Sequence, residues 1–334
     1  MKKVIQEHYG MRVHEFFSIS KYQAFRNERN LYLVVPLNMN DQELTELYYL
    51  SQYLYDHGDQ RVTVFALTRN GQFGFRYEEE NFALLKASLF DSRERETDPI
   101  GKELALFHQA GRQFPYHLQH ISRIGQWKSL WEIRLEQLES FWKSKLHAKP
   151  IKSFDQLFVE TFPYYIGLCE NAIQYLVDTE LDEQPQQVDS GTVCYQRFTD
   201  KTWSNEIPYK ISTEWLFDHA SRDLAEYTRQ CFFKNRINEC VEFLSSYEGV
   251  QKLSPFSWRL YYSRLLFPVH YFECVESYYL SSEEKRIHYE NKLEHIVTKP
   301  TQYETFLSSM MKQIPLRNHQ VQIPKLEWLN DGNP

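Results

Sequence analysis

The sequence predicts an α+β protein with a small N-terminal part, an antiparallel sheet with one helix, and a larger, mainly helical remainder. Three observations carry this. Up to about residue 90, short alternating or apolar runs sit between turn residues and flank one amphipathic helix. From Gly101 onward, apolar residues recur at helical spacing in long stretches. Between the two lies the charged run Asp91-Ser92-Arg93-Glu94-Arg95-Glu96-Thr97-Asp98, a natural boundary. The chain thus divides into residues 1–90, residues 91–312 and an irregular tail over 313–334 that holds Pro315, Pro324 and Pro334.

Residues 1–40 read as short strands. Met11 to Phe17 alternates, Asn27-Glu28-Arg29-Asn30 offers a turn, and Leu31 to Leu37 is a buried strand ending near Pro36. In the helix that follows, Leu44, Leu47, Leu50 and Leu54 keep helical spacing, Asp41 is the expected N-cap, and His57-Gly58 ends it. Arg61 to Leu67 and Phe73 to Arg76 read as strands joined by the hairpin turn Arg69-Asn70-Gly71-Gln72. Beyond the boundary, Trp127–Lys145 is one long helix with a stripe of Trp131, Leu135, Leu138 and Trp142. A second runs from about Ser153 to Val177, interrupted at Pro163. Trp258 to Phe272 is expected as a single helix bent at Pro268, and Glu283 to Ile296 as a charged helix.

Composition narrows the function. A net charge of −7 gives no electrostatic case for nucleic acid. Only 11 glycines among 334 residues argue against a nucleotide site built from glycine-rich backbone turns. The 23 Tyr and 23 Phe belong mostly to the core, and Tyr at the surface suits protein–protein contact. The five cysteines, Cys169, Cys194, Cys231, Cys240 and Cys274, are far apart, as in a reduced chain. Met1-Lys2-Lys3-Val4-Ile5 is followed by no apolar run. No stretch of about 18 apolar residues could span a bilayer.

The most informative stretch is Thr213 to Tyr227. It joins an aromatic run, the pair Asp218-His219 and a helix start. Ser221 is the expected N-cap, Asp223 and Glu226 place negative charge in the first turns, and Leu224, Tyr227 and Cys231 face a core. Glu214-Trp215, followed by Asp218-His219 and Ser221-Arg222-Asp223-Leu224-Ala225-Glu226, resembles the end of the catalytic region in aminoglycoside and choline phosphotransferases. It is most similar to the spore-coat kinase-like family of endospore-forming bacteria. The resemblance covers most of the chain and implies a two-lobed, protein-kinase-like fold, with an N-lobe to about residue 90 and a helical C-lobe. It makes Asp41–Leu54 the N-lobe helix with Glu46 as its glutamate, and likens Asn81–Ala87 to the hinge region. Leu104-Ala105 followed by His108 resembles the start of the C-lobe, where that histidine is structural.

The same resemblance exposes what is missing. A phosphotransferase of this kind needs a phosphate-binding lysine, an aspartate base, a metal-binding asparagine and a second metal-binding acid. Val34, Val35 and Pro36 stand where the strand lysine belongs, and a glycine-rich loop is missing too, with Gly10 alone. Set against the family's His-x-Asp-x-x-x-x-Asn loop, the histidine becomes Tyr195, the aspartate Arg197 and the asparagine Thr202. A guanidinium stays protonated and cannot be a base. The metal acid survives as Glu214, or as Thr213 if the alignment slips by one. A shifted set of Asp200, Asn205 and Glu214 keeps the family spacing and could hold ATP and Mg²⁺, although Phe198 would then replace the histidine.

Twelve histidines form no H-E-x-x-H, and Asp218 with His219 reads as ordering the turn before the helix. Asp223 is expected to accept hydrogen bonds from the altered loop. The expectation is a catalytically degenerate protein with no catalytic residue, cofactor or metal. In it, Asp218, His219, Ser221, Arg222 and Asp223 are architectural. Arg197 is expected to pair with Glu214, Asp218 or Asp223 in place of the lost metal. The resemblance further implies other spore-coat proteins as partners and deposition on the coat from the mother-cell cytoplasm without secretion. The alternative is an active small-molecule phosphotransferase.

Overall fold

The structure is a computed structural model that describes residues 1–27, 30–89, 98–147, 153–204 and 208–313. The expected turn at Glu28-Arg29, most of the charged boundary (residues 91–97), Asn205 and the tail beyond residue 313 lie outside the described residues. An antiparallel β-sheet region is followed by a mostly helical region.

The chain forms two compact units. The first comprises residues 1–124, 190–227 and 246–251. It opens with helix α1 (Lys2–Tyr9), where short strands were expected. Ile5 and Tyr9, one turn apart, bury themselves in a cluster with Phe25, Tyr32, Val34, Phe75 and Leu84, and this tertiary burial makes the short helix. Gly10 ends it at φ 71°, in the left-handed region that glycine adopts freely. Strands β1 (Phe17–Ile19), β2 (Tyr22–Asn27) and β3 (Asn30–Pro36) follow. Helix α2 (Asp41–Asp56) is capped by Asn40, not by Asp41. Asn40 accepts from the Gln42 and Glu43 N–H groups while the Glu43 side chain reaches back to the Asn40 N–H.

Strands β4 (Val64–Ala66), β5 (Gly74–Tyr77) and β6 (Glu80–Ser88) complete a six-stranded sheet ordered β1-β2-β3-β6-β4, with β5 also on β6. The expected hairpin between β4 and β5 does not form. A turn exists there, with Thr68 N–H donating to Gln72 O, but each strand pairs with β6. The true hairpin joins β5 to β6 through Glu78 and Glu79, both at positive φ. Residues 81–87, likened to a hinge, belong to β6, the strand that pairs with β3 on one edge and with β4 and β5 on the other. The unit is completed by α3 (Ile100–Arg112), the hairpin of β7 (Thr192–Tyr195) and β8 (Trp215–Asp218), the first half of α6 (Ser221–Phe233) and the end of α7 (Ile237–Val250).

The second unit comprises residues 125–189, 228–245 and 252–334. It holds α4 (Trp127–His147), α5 (Ser153–Asp182), α8 (Pro255–Leu266), α9 (Val269–Leu280), α10 (Glu283–Val297) and α11 (Pro300–Gln313). Pro163 does not interrupt α5, which runs on through it. A proline frees the carbonyl four residues earlier, and the Trp142 indole N–H from α4 donates to that carbonyl, Val159 O, at 3.0 Å. The expected single helix over 258–272 is two. Phe267 takes extended backbone before Pro268, as residues preceding proline do, and α9 starts afresh. Stacked rings fill this unit: Trp131 on Phe267 at 4.5 Å and Tyr165 on Tyr271 at 3.6 Å. All five cysteines are free and buried. Among the described residues, no helix is long and apolar enough to cross a membrane.

Candidate functional site

The β7–β8 hairpin sets the site. Its register places Tyr195 opposite Trp215 and Thr192 opposite Asp218, so the altered loop leaves one end while Asp218 and α6 follow the other. Tyr195, expected to align with the family histidine, is a fully buried ring. It packs among Phe107, Phe198, Trp203 and Trp215, and its hydroxyl accepts from the Trp203 indole at 2.8 Å. Burial raises its phenol well above the ordinary value, so it stays protonated. Thr202, at the asparagine position, closes the loop on itself: its hydroxyl accepts from Thr199 N–H at 2.8 Å. Asp200 sits half-buried in that turn, and its expected companion Asn205 lies outside the described residues.

Arg197 forms an ion pair at 2.9 Å, with Glu226. The three acids expected to pair with it are each engaged by further groups. Asp218 is gripped by Arg222 at 2.9 Å. The same guanidinium donates to Tyr195 O and Gln196 O, tying the loop to α6. Asp223 accepts from the Tyr195 N–H at 3.1 Å and lies 3.2 Å from His108 Nε2. Glu214, in a 3₁₀ turn over Ser212–Glu214, accepts from the Tyr22 hydroxyl at 2.6 Å and from Lys21 at 2.7 Å. Sequence reasoning missed Tyr22, Lys21 and Glu226 as partners. The contact between Tyr22 and Glu214 spans 192 residues, and no local pattern announces it.

The start of α6 departs from expectation. Ser221 is the first helical residue, and its N–H donates to His219 Nδ1 at 3.1 Å, so the imidazole supplies the capping acceptor. His219 N–H in turn donates to Asp218 at 2.8 Å.

Glu46 also has new partners. Without a strand lysine, its two carboxylate oxygens accept from three consecutive backbone N–H groups, those of Gln119, His120 and Ile121, at 2.8 to 3.1 Å. That segment is hydrogen-bonded to β8 through Phe217 N–H to Ile121 O and Arg123 N–H to Phe217 O.

One cluster among the described residues has the composition of a metal site: His108, Cys194 and Asp223, with ligand atoms within 4.8 Å of one another. Its groups are already engaged. His108 Nδ1 is 2.9 Å from the Tyr247 hydroxyl, and Cys194 Sγ contacts the carbonyls of Asp218 and His219 at 3.6 Å. Burial, then the Asp223 charge, pushes the thiol well above its ordinary value, away from a metal-binding thiolate. Burial first, then the neighbouring Arg112, keeps His108 neutral. The cluster reads as a hydrogen-bond network that fixes α3, β7 and α6.

The comparisons agree with this frame. The family model described as "Spore coat putative kinase YutH" matches residues 2–310. The chain belongs to the YutH family. The endospore coat-associated protein YutH of Bacillus subtilis strain 168 is 46% identical over 338 aligned positions, covering 100% of this chain and 99% of the relative. Among solved structures, an aminoglycoside phosphotransferase from Alicyclobacillus acidocaldarius superposes with a TM-score of 0.66 at 13% identity, covering 94% of this chain and 96% of its own. A spectinomycin phosphotransferase in complex with ADP and spectinomycin gives 0.59 at 14%, covering 88% and 92%. The chain therefore has the kinase-like phosphotransferase fold, an antiparallel sheet region followed by a mostly helical one. A metal–nucleotide complex fits its residues poorly. On the expected alignment an arginine, Arg197, stands at the base position; Val34, Val35 and Pro36 offer no lysine, and Glu214 accepts from a phenol and an ammonium.

Proposed function

We propose that this chain is a catalytically degenerate kinase-like protein that serves the endospore coat as a structural and interaction component. One observation carries the reading: where the family places its aspartate base, Arg197 is ion-paired to the buried Glu226. A permanent cation there can neither take a proton nor tolerate Mg²⁺ beside it. In this reading Tyr195, Arg197 and Thr202 form a structural loop. Asp218, His219, Ser221, Arg222 and Asp223 hold it to α6, and no residue serves as catalyst, nucleotide ligand or metal ligand. Residues 1–90 and 91–312 are the two lobes, with 313–334 a tail. The coat association of the Bacillus subtilis relative supports a coat location here, reached from the mother-cell cytoplasm without secretion, with other coat proteins as partners.

The test is thermal denaturation with and without ATP and Mg²⁺. Ligand that binds the native state must raise its melting temperature. The expected result is no shift. A rise of several degrees that requires the metal would favour an active phosphotransferase using Asp200, Asn205 and Glu214.

A further inference from the structure

The β1–β2 hairpin closes with Ile19 opposite Tyr22, so Ser20 and Lys21 alone make the turn. In protein kinases a glycine-rich turn covers the nucleotide phosphates, and bare backbone can approach them closely. Here no glycine occurs between Gly10 and Gly58. Ser20 takes the left-handed conformation at φ 50°, and the side chains of Lys21 in the turn and of Tyr22 just after it converge on one atom. Lys21 Nζ lies 2.7 Å from Glu214 Oε1, and the Tyr22 hydroxyl donates to the same oxygen at 2.6 Å. The Lys21 ammonium also stands 5.1 Å from the centre of the Tyr22 ring.

The two contacts differ in weight. Lys21 is largely exposed, and a surface ion pair alone holds little. Tyr22 is buried, and a hydrogen bond from a buried phenol to a carboxylate is of the stronger, charge-assisted kind. Burial and the Glu214 charge both raise the phenol, so it remains a donor at any working pH.

We infer that the β1–β2 hairpin is an intramolecular latch. Lys21 and Tyr22 take up the acid that would otherwise hold a metal and so keep a metal–nucleotide complex out. The inference rests on the degenerate reading above and adds the contact that keeps the site shut. Both donors, an ammonium and a hydroxyl, fall on Glu214 Oε1.

The experiment compares the full chain with the Lys21→Ala/Tyr22→Phe double variant. Amide hydrogen exchange is followed over residues 17–27, with ATP·Mg²⁺ binding measured by calorimetry on the same preparations. Release of the latch is expected to speed exchange in the hairpin by about ten-fold while α5 is unchanged. Equal hairpin protection in the two proteins overturns the latch. If the double variant loses α5 protection as well, the Tyr22→Phe variant carries the test. It removes one oxygen atom, and unchanged hairpin exchange in it overturns the latch equally. Nucleotide binding by the parent chain would overturn the degenerate reading, whereas unchanged exchange would overturn the latch and leave that reading standing.

Discussion

Glu226 is 3% exposed, whereas its partner Arg197 is 38% exposed, so the pair has one dry end and one wet one. Arg197→Asp would strand the buried carboxylate and place a second negative charge beside it. A fully buried broken pair costs about 3–5 kcal/mol, but solvent around Arg197 screens the change, and a loss of about 1–2 kcal/mol is expected. Urea unfolding of the variant measures it; an unshifted midpoint would show the pair to be decorative. His108 makes a second, pH-dependent prediction. Burial, then Arg112, His219 and Lys210, hold its imidazole well below the usual range. The unfolded chain takes up this proton below about pH 6.5 and the native chain does not, so stability falls as pH drops through that value. The slope reaches about 1.4 kcal/mol per pH unit for one full proton. Unfolding of the parent and of His108→Gln between pH 7.5 and 5 should converge toward low pH, and parallel curves would mean that His108 titrates normally. At this scale the chemistry of Tyr195, Arg197 and Thr202 was legible, because residue type fixes it; their correspondence to a catalytic loop belongs to the proposed reading. Their partners were not legible. Glu226 lies 29 residues from Arg197, and the acids expected for it were Glu214, Asp218 and Asp223.

Helices with long apolar stripes, α2 and α4, were readable from spacing alone, since the stripe that forms the helix is the stripe it buries, and α10 was readable as a charged helix. Where a neighbouring element decides, spacing fails. Helix α1 is one short turn-pair made stable by the sheet beneath it, and the pairing of β5 with β6 is decided by a turn of two glutamates that few patterns favour. Proline illustrates the same point twice. At Pro268 the helix breaks although the Arg229 guanidinium donates to the freed Arg264 carbonyl, while at Pro163 the Trp142 indole takes the freed carbonyl and α5 continues. This assigns the indole N–H a role that depends on the proline. In a double-mutant cycle, Trp142→Phe should cost about 1 kcal/mol more when Pro163 is present than in the Pro163→Ala background, where residue 163 can itself donate to Val159 O. Additive effects in denaturant midpoints would refute the compensation.

Across the whole molecule, the α+β class and its kinase-like form were legible because the stretch from Glu214 to Glu226 combines several residue types at fixed spacing, and the family match and the superpositions agree with it. The internal ties of the site were not legible, because each joins segments distant in the chain: Tyr22 to Glu214, His108 to Asp223, Glu46 to residues 119–121. The last of these bears on history. Both Glu46 oxygens receive backbone donors, and the segment they hold is itself bonded to β8. A lysine restored to β3 by a single mutation would enter a buried strand and find its customary carboxylate occupied; freeing that carboxylate would first leave three N–H groups bare. Each step toward a lysine–glutamate pair is thus uphill before any gain could reward it. On the degenerate reading proposed above, the arrangement works as a ratchet: under selection for stability alone, further drift is easier than return.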